Sequence, residues 1–139
     1  MHIFSYSLLR YVLISEAGIT LTNDGLLYNL WHKPSLKKHP YIHFNISHCS
    51  TAIAVAISFR APIGIDIEAI REYSPYSLNR CFSKQEIDYI KNSINPNKEF
   101  FRLWTLKESY VKAIGIGMSY PMKKVNFNNK NHLIVSNKV

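Results

Sequence analysis

The chain has 139 residues, 47% of them apolar, with 9 Tyr, 7 Phe and 2 Trp, a composition of single-domain length that excludes an intrinsically disordered protein. Its 17 Lys and Arg against 9 Asp and Glu give a formal net charge of +8, which fits an anionic partner (nucleic acid, a phosphorylated small molecule or an acidic protein) or a lysine-rich surface kept soluble by charge. Cys49 and Cys81 have no paired spacing, which argues against a disulfide scaffold or a structural zinc site, and no apolar run approaches the roughly 18 residues of a membrane span, so a cytoplasmic protein is expected.

Leu8, Leu9, Val12 and Leu13 recur at helical spacing and predict a short amphipathic helix over Ser7–Ser15. Leu26 to Trp31 reads as a strand, followed by a polar connection from Lys33 to Lys38. Tyr41–Ile46, Thr51–Arg60 and Ile63–Ile67 read as further strands. Ser83 and Glu86 have capping-box spacing and predict a helix from Lys84 to about Asn92. A longer helix starts at Asn95-Pro96-Asn97, runs to about Ile114 and stops at Gly115-Ile116-Gly117. Val125–Phe127 and Leu133–Val135 read as a closing hairpin around Asn128-Asn129-Lys130-Asn131. The fold class is α+β, with antiparallel strands and one long helix.

Three places break the plain pattern. In Gly64-Ile65-Asp66-Ile67-Glu68, alternation puts Asp66 and Glu68 on one face of a strand with Cα atoms roughly 6.6 Å apart. Such carboxylates could share a hard cation, or simply form the solvated face of a half-buried strand. On the long helix, at roughly 100° per residue, Lys107 falls within the apolar face of Phe100, Leu103 and Ile114, with Glu108 beside Trp104 and Lys112 one turn on. A lysine so placed must snorkel or meet an anion, and Glu108 and Lys112 could form an ordinary intrahelical pair. Third, Phe44-Asn45-Ile46-Ser47-His48-Cys49-Ser50 gathers small hydrogen-bonding side chains around a histidine, suited to a phosphate or ribose, although a histidine at a strand end is commonly structural.

In chain order, Lys33-Pro34, Phe44 to His48, Gly64 to Glu68, Phe82-Ser83-Lys84-Gln85-Glu86 and Trp104-Thr105-Leu106-Lys107-Glu108-Ser109-Tyr110-Val111-Lys112 together resemble the Sfp-type 4′-phosphopantetheinyl transferases. The resemblance implies transfer of the phosphopantetheine arm of coenzyme A to a serine of an apo acyl or peptidyl carrier protein, with Mg2+ required and 3′,5′-ADP leaving. It implies Asp66, Glu68 and Glu108 as the magnesium set, Lys112 on the pyrophosphate, and Glu108 as a group able to take the serine proton. Lys33, Ser47 and His48 would hold the nucleotide end, Gly115 and Gly117 would let the backbone approach the pantetheine chain, and Lys107 would pair with the site carboxylates.

The resemblance also implies two similar lobes related as a pseudo-dimer. Against that pattern, residues 1–139 form one domain comprising the end of a first lobe, about 1–60, and the start of a second, about 61–139. Both lobes look incomplete, which makes a homo-oligomer an expected arrangement. Three residues depart from the family pattern: Tyr6 replaces an arginine, His32 a glycine, and Cys49 a serine. A Mg2+-dependent nuclease could use the same acids and a lysine, but Lys107-Glu108 reverses the usual acid-x-Lys order, which makes nucleic acid the weaker candidate. A carrier-protein binder without turnover is the third reading.

Overall fold

The structure, a computed structural model, describes residues 2–127 together with 133 and 134. Its elements are α1 (His2–Ala17), β1 (Leu26–Tyr28), β2 (Pro34–Leu36), β3 (His43–His48), β4 (Ile53–Ser58), α2 (Pro75–Cys81), α3 (Lys84–Lys91) and α4 (Pro96–Ile114). Two 3-10 turns follow, Gly117–Ser119 and Met122–Lys124, and then β5 (Asn126–Phe127) and β6 (Leu133–Ile134). The described strands pair antiparallel as β1–β2, β3–β4 and β5–β6, in agreement with the α+β expectation. No helix among the described residues is long and apolar enough to cross a membrane.

The apolar residues sort into two clusters. Leu9 and Leu13 of α1, with no exposed surface, join Leu21, Leu36 of β2, Ile42 and Phe44 of β3 in one cluster. Phe82, Ile90, Phe100, Phe101, Leu103 and Val111 form a second cluster with Leu78, Cys81, Met122 and Val125 between α2, α3 and α4. Burying a side chain of this size contributes about 1.5–3 kcal/mol. Phe100 organises the second cluster, stacked between Tyr73 and Trp104 at centroid distances of 4.8 and 5.9 Å.

The predicted first helix is longer than expected, because Ile3 and Phe4 in its first turn are exposed and carry no core periodicity. The strand expected over Leu26–Trp31 ends at Tyr28, and the expected polar connection contains β2. Asn29 causes this: its Oδ1 accepts from the amides of Trp31 and Lys33 at 2.9 and 2.8 Å, folding the chain back without glycine or proline in the turn. His32 completes the turn at φ 62°, a left-handed conformation that glycine adopts without strain.

The strand expected over Ile63–Ile67 does not form: the segment joins no sheet. Instead the Ile65 amide donates to Asn45 Oδ1 at 2.9 Å and the Ile67 amide to Ser47 Oγ at 3.2 Å. Two side chains of β3, two residues apart, thus take the place of a ladder. Helix α2 escaped the sequence reading because its 7 residues are too few to show a period. Val135 and the 128–131 turn of the closing hairpin lie outside the described residues.

Candidate functional site

Helix α4 begins with Asn95 Oδ1 accepting from the Lys98 amide at 3.1 Å and Pro96 in its first turn. It ends at Gly115, whose φ of 81° only glycine accepts easily. Its apolar side points into the second cluster, which leaves Trp104, Glu108 and Lys112, spaced by four, along one flank. Residues 63–68 lie against that flank because position 64 has no side chain: a Cβ there would sit 1.8 Å from Ser109 O and 2.5 Å from the Ala113 amide nitrogen. Asp66 and Glu68 are thereby brought beside Glu108 and Lys112.

These residues enclose an open cleft of about 380 Å³, its polar lining made by Ser47, His48, Asp66, Glu68, Glu108 and Lys112 and its apolar lining by Ile46 and Trp104. The Lys112 ammonium donates to Asp66 Oδ1 at 2.6 Å, Ser47 Oγ at 3.0 Å and Ile65 O at 3.3 Å. The Ser47 hydroxyl donates to the same Asp66 oxygen at 3.0 Å. Lys112 therefore reaches across to Asp66, and the alternative of an intrahelical pair with Glu108 does not arise: among the described residues no such pair exists. Glu68 accepts from Arg71 Nη1 at 2.9 Å.

The other Asp66 oxygen, Oδ2, is buried without a hydrogen-bond partner in the structure, a costly state for an ionised carboxylate. Burial, and then the neighbouring Asp66 and Glu68 charges, push Glu108 above the usual carboxylate range, with Lys112 opposing them. An oxygen-only donor set with mutual repulsion and one unsatisfied buried oxygen fits a hard divalent cation such as Mg2+. Among the described residues no three His, Cys, Asp or Glu side chains stand close enough together to hold a metal ion as they are; Asp66, Glu68 and Glu108 border the same cleft without converging on one point.

A second cleft of about 190 Å³ is lined by Trp31, His32, Lys33, Pro34, Asn45, Gly115, Gly117 and again Lys112, which both clefts share. The Lys33 ammonium donates to the carbonyls of Lys112 (2.6 Å), Ala113 (2.7 Å) and Ile63 (3.5 Å). It caps the C-terminus of α4, where a cation is favoured, and burial lowers its pKa. Asn29 Nδ2 donates to Gly115 O at 2.8 Å beside it.

Lys107 lies elsewhere. Its ammonium, with no exposed surface, donates to Glu86 Oε2 at 2.8 Å and to the carbonyls of Cys81 (3.2 Å) and Met122 (3.0 Å). The expected pairing of Lys107 with the cleft carboxylates is thus corrected: its anion is Glu86, which also completes the capping box by accepting from the Ser83 amide at 2.9 Å. Burial lowers the Lys107 pKa and Glu86 opposes the shift. Lys107 apart, the nine site positions that the sequence pattern singled out border one of the two clefts. Trp31, Trp104 and Arg71 were missed as site residues, since the first two look like core aromatics and Arg71 lies outside every motif, although its i,i+3 spacing from Glu68 offered a signal.

The sequence also resembles known proteins. The sequence model of the 4′-phosphopantetheinyl transferase superfamily matches residues 62–137. The chain is 38% identical over 108 residues to the gsp 4′-phosphopantetheinyl transferase of Aneurinibacillus migulanus, covering 75% of this chain and 44% of that relative. It is 38% identical over 92 residues to the Sfp 4′-phosphopantetheinyl transferase of Bacillus subtilis strain 168, covering 65% and 41%. With the L-aminoadipate-semialdehyde dehydrogenase-phosphopantetheinyl transferase of Mus musculus it shares 33% identity over 106 residues, covering 68% and 34%. The chain thus spans less than half the length of these relatives.

Proposed function

The chain belongs to the 4′-phosphopantetheinyl transferase superfamily, and we propose that it transfers the 4′-phosphopantetheine group of coenzyme A to a serine of an apo acyl or peptidyl carrier protein. One observation carries this reading: Lys112 stands where the two clefts meet, beside a buried Asp66 oxygen that lacks a partner. A ligand with a charged middle and two extended ends suits that layout. Residues of about 1–60, the end of a first lobe, and of about 61–139, the start of a second, both contribute to each cleft, and the two separate apolar clusters support that division.

Asp66, Glu68 and Glu108 would hold Mg2+, which would supply neutralisation of charge on the pyrophosphate. Lys112, its three donors committed to Asp66, Ser47 and the Ile65 carbonyl, lies against the pyrophosphate as a positive charge that steadies the leaving group. Glu108, its basicity raised by burial, takes the serine proton directly or through a water. The serine oxygen bonds to the phosphorus of the phosphopantetheine arm, the pyrophosphate bridge to that phosphorus breaks, and 3′,5′-ADP leaves. Ser47 and His48 face the nucleotide end. Lys33, its three donors committed to carbonyls, contributes charge there and fixes the wall. Gly115 and Gly117 leave room for the pantetheine chain.

The test is intact mass of an apo carrier protein incubated with this chain, coenzyme A and Mg2+. A gain of one phosphopantetheinyl group, lost in Asp66→Ala and Glu108→Ala, is expected. Retained coenzyme A binding with no mass gain under any condition would replace the transferase by a binding protein, and cleavage of labelled DNA would replace it by a nuclease.

A further inference from the structure

We propose that Arg71 is the resident counterion of Glu68 and competes with a divalent cation for that carboxylate, so that loading the carboxylate cleft loosens the guanidinium from Glu68. The inference rests on reading Asp66, Glu68 and Glu108 as a cation site. Two of those three carboxylates are neutralised from within the chain, Asp66 by Lys112 at 2.6 Å and Glu68 by Arg71 at 2.9 Å. Among the described residues Glu108 has no ion pair.

The two internal cations differ in how firmly they are held. Lys112 is largely buried, with 28% of its side chain exposed, and also bonds Ser47 and the Ile65 carbonyl, so leaving Asp66 would strand donors. The Arg71 side chain is 59% exposed, and that of Glu68 25%. Pairs of this kind are weak. Arg71 also has somewhere to remain: its Nη1 donates to the Ala69 carbonyl at 3.0 Å, and its guanidinium carbon lies 4.7 Å from the Phe101 ring centroid. A cation over an aromatic face is attracted to it without any carboxylate. Glu68 can therefore exchange partners while Arg71 keeps two of its three contacts.

Charge on Glu68 that Arg71 neutralises through Oε2 is withheld from a divalent cation on the same carboxylate, so the two compete. Arg71 sets the cation affinity of the apo cleft, and the cation in turn sets the charge displayed on the rim beside Phe101. Both effects are readable without turnover.

Mn2+ is the probe, an oxygen-preferring divalent ion whose free fraction is visible by electron paramagnetic resonance. Arg71→Gln should bind it about two- to fivefold more tightly than wild type. Arg80→Gln, which removes a charge of the same sign from exposed α2, should bind as wild type. Glu68→Gln should weaken binding, and adding Arg71→Gln to it should have no further effect. In wild type, Mg2+ should shift the Arg71 Nε–Hε resonance. The proposal is overturned if Asp66→Asn loses Mn2+ while Arg71→Gln binds like wild type, or if Arg80→Gln gains as much as Arg71→Gln. Mn2+ binding that survives Asp66→Asn in a folded protein would instead remove the carboxylate site itself, and the proposal with it.

Discussion

Lys107 shows how one charged residue can be legible in sequence while its partner is not. Its place on the apolar face of α4 requires an anion or an escape to water, and the anion is Glu86, distant in sequence and reached through the packing of α3 on α4. Lys107→Ala would leave the Glu86 carboxylate buried, with its Oε1 already unpartnered, and should cost about 3–5 kcal/mol in a urea titration. Lys107→Met combined with Glu86→Gln should recover much of that loss; no recovery would show that the pair specifies the fold and does more than neutralise itself. Glu108 carries a pH signature. Its folded pKa lies above the ordinary 4.5, so the folded state holds the proton more tightly, and this stabilisation is full below 4.5 and lost as pH rises through the folded value. With a chelator present, the melting temperature of wild type should fall relative to Glu108→Gln across that interval, and parallel curves would contradict the assignment. His32 at φ 62° makes a simpler case: His32→Gly should raise stability by up to about 1 kcal/mol.

Among the elements, α4 and the segment before α2 decide the site. The helix was readable at both ends, because Asn95-Pro96 and Gly115 act locally on their own backbone. The alternation over Ile63–Ile67 was equally readable, and it does set Asp66 and Glu68 on the cleft side. What pairs with that segment was not, since Asn45 and Ser47 bond it through side chains and no periodicity marks such a role. The β1–β2 turn was hidden for a related reason: Asn29 makes it with its amide oxygen, while Leu30 and Trp31 look like strand residues. Gly64→Ala tests the element directly. Its Cβ would meet helix backbone that cannot move aside, so the loss should reach about 1–3 kcal/mol or more, and the Mn2+ affinity of the carboxylate cleft should fall with it. Unchanged stability in that variant would mean the segment does not rest on α4 in solution.

On the scale of the whole molecule, the two apolar clusters share few greasy contacts, and polar bonds join them: Lys33 to the end of α4, Asn29 to Gly115, Asn45 and Ser47 to residues 65–67. Both clefts lie along this join. The net charge of +8 favours any polyanion approaching it, so association should slow as ionic strength rises; a rate indifferent to salt would deny electrostatic steering. A boundary stitched by hydrogen bonds and not by oil has a further consequence. Water can compete for those stitches before it can dissolve either cluster, so moderate urea should unzip the halves and silence both clefts while circular dichroism still reports intact helices. The ligand-gripping surface would then be the most fragile part of the molecule, and its loss would come well ahead of melting.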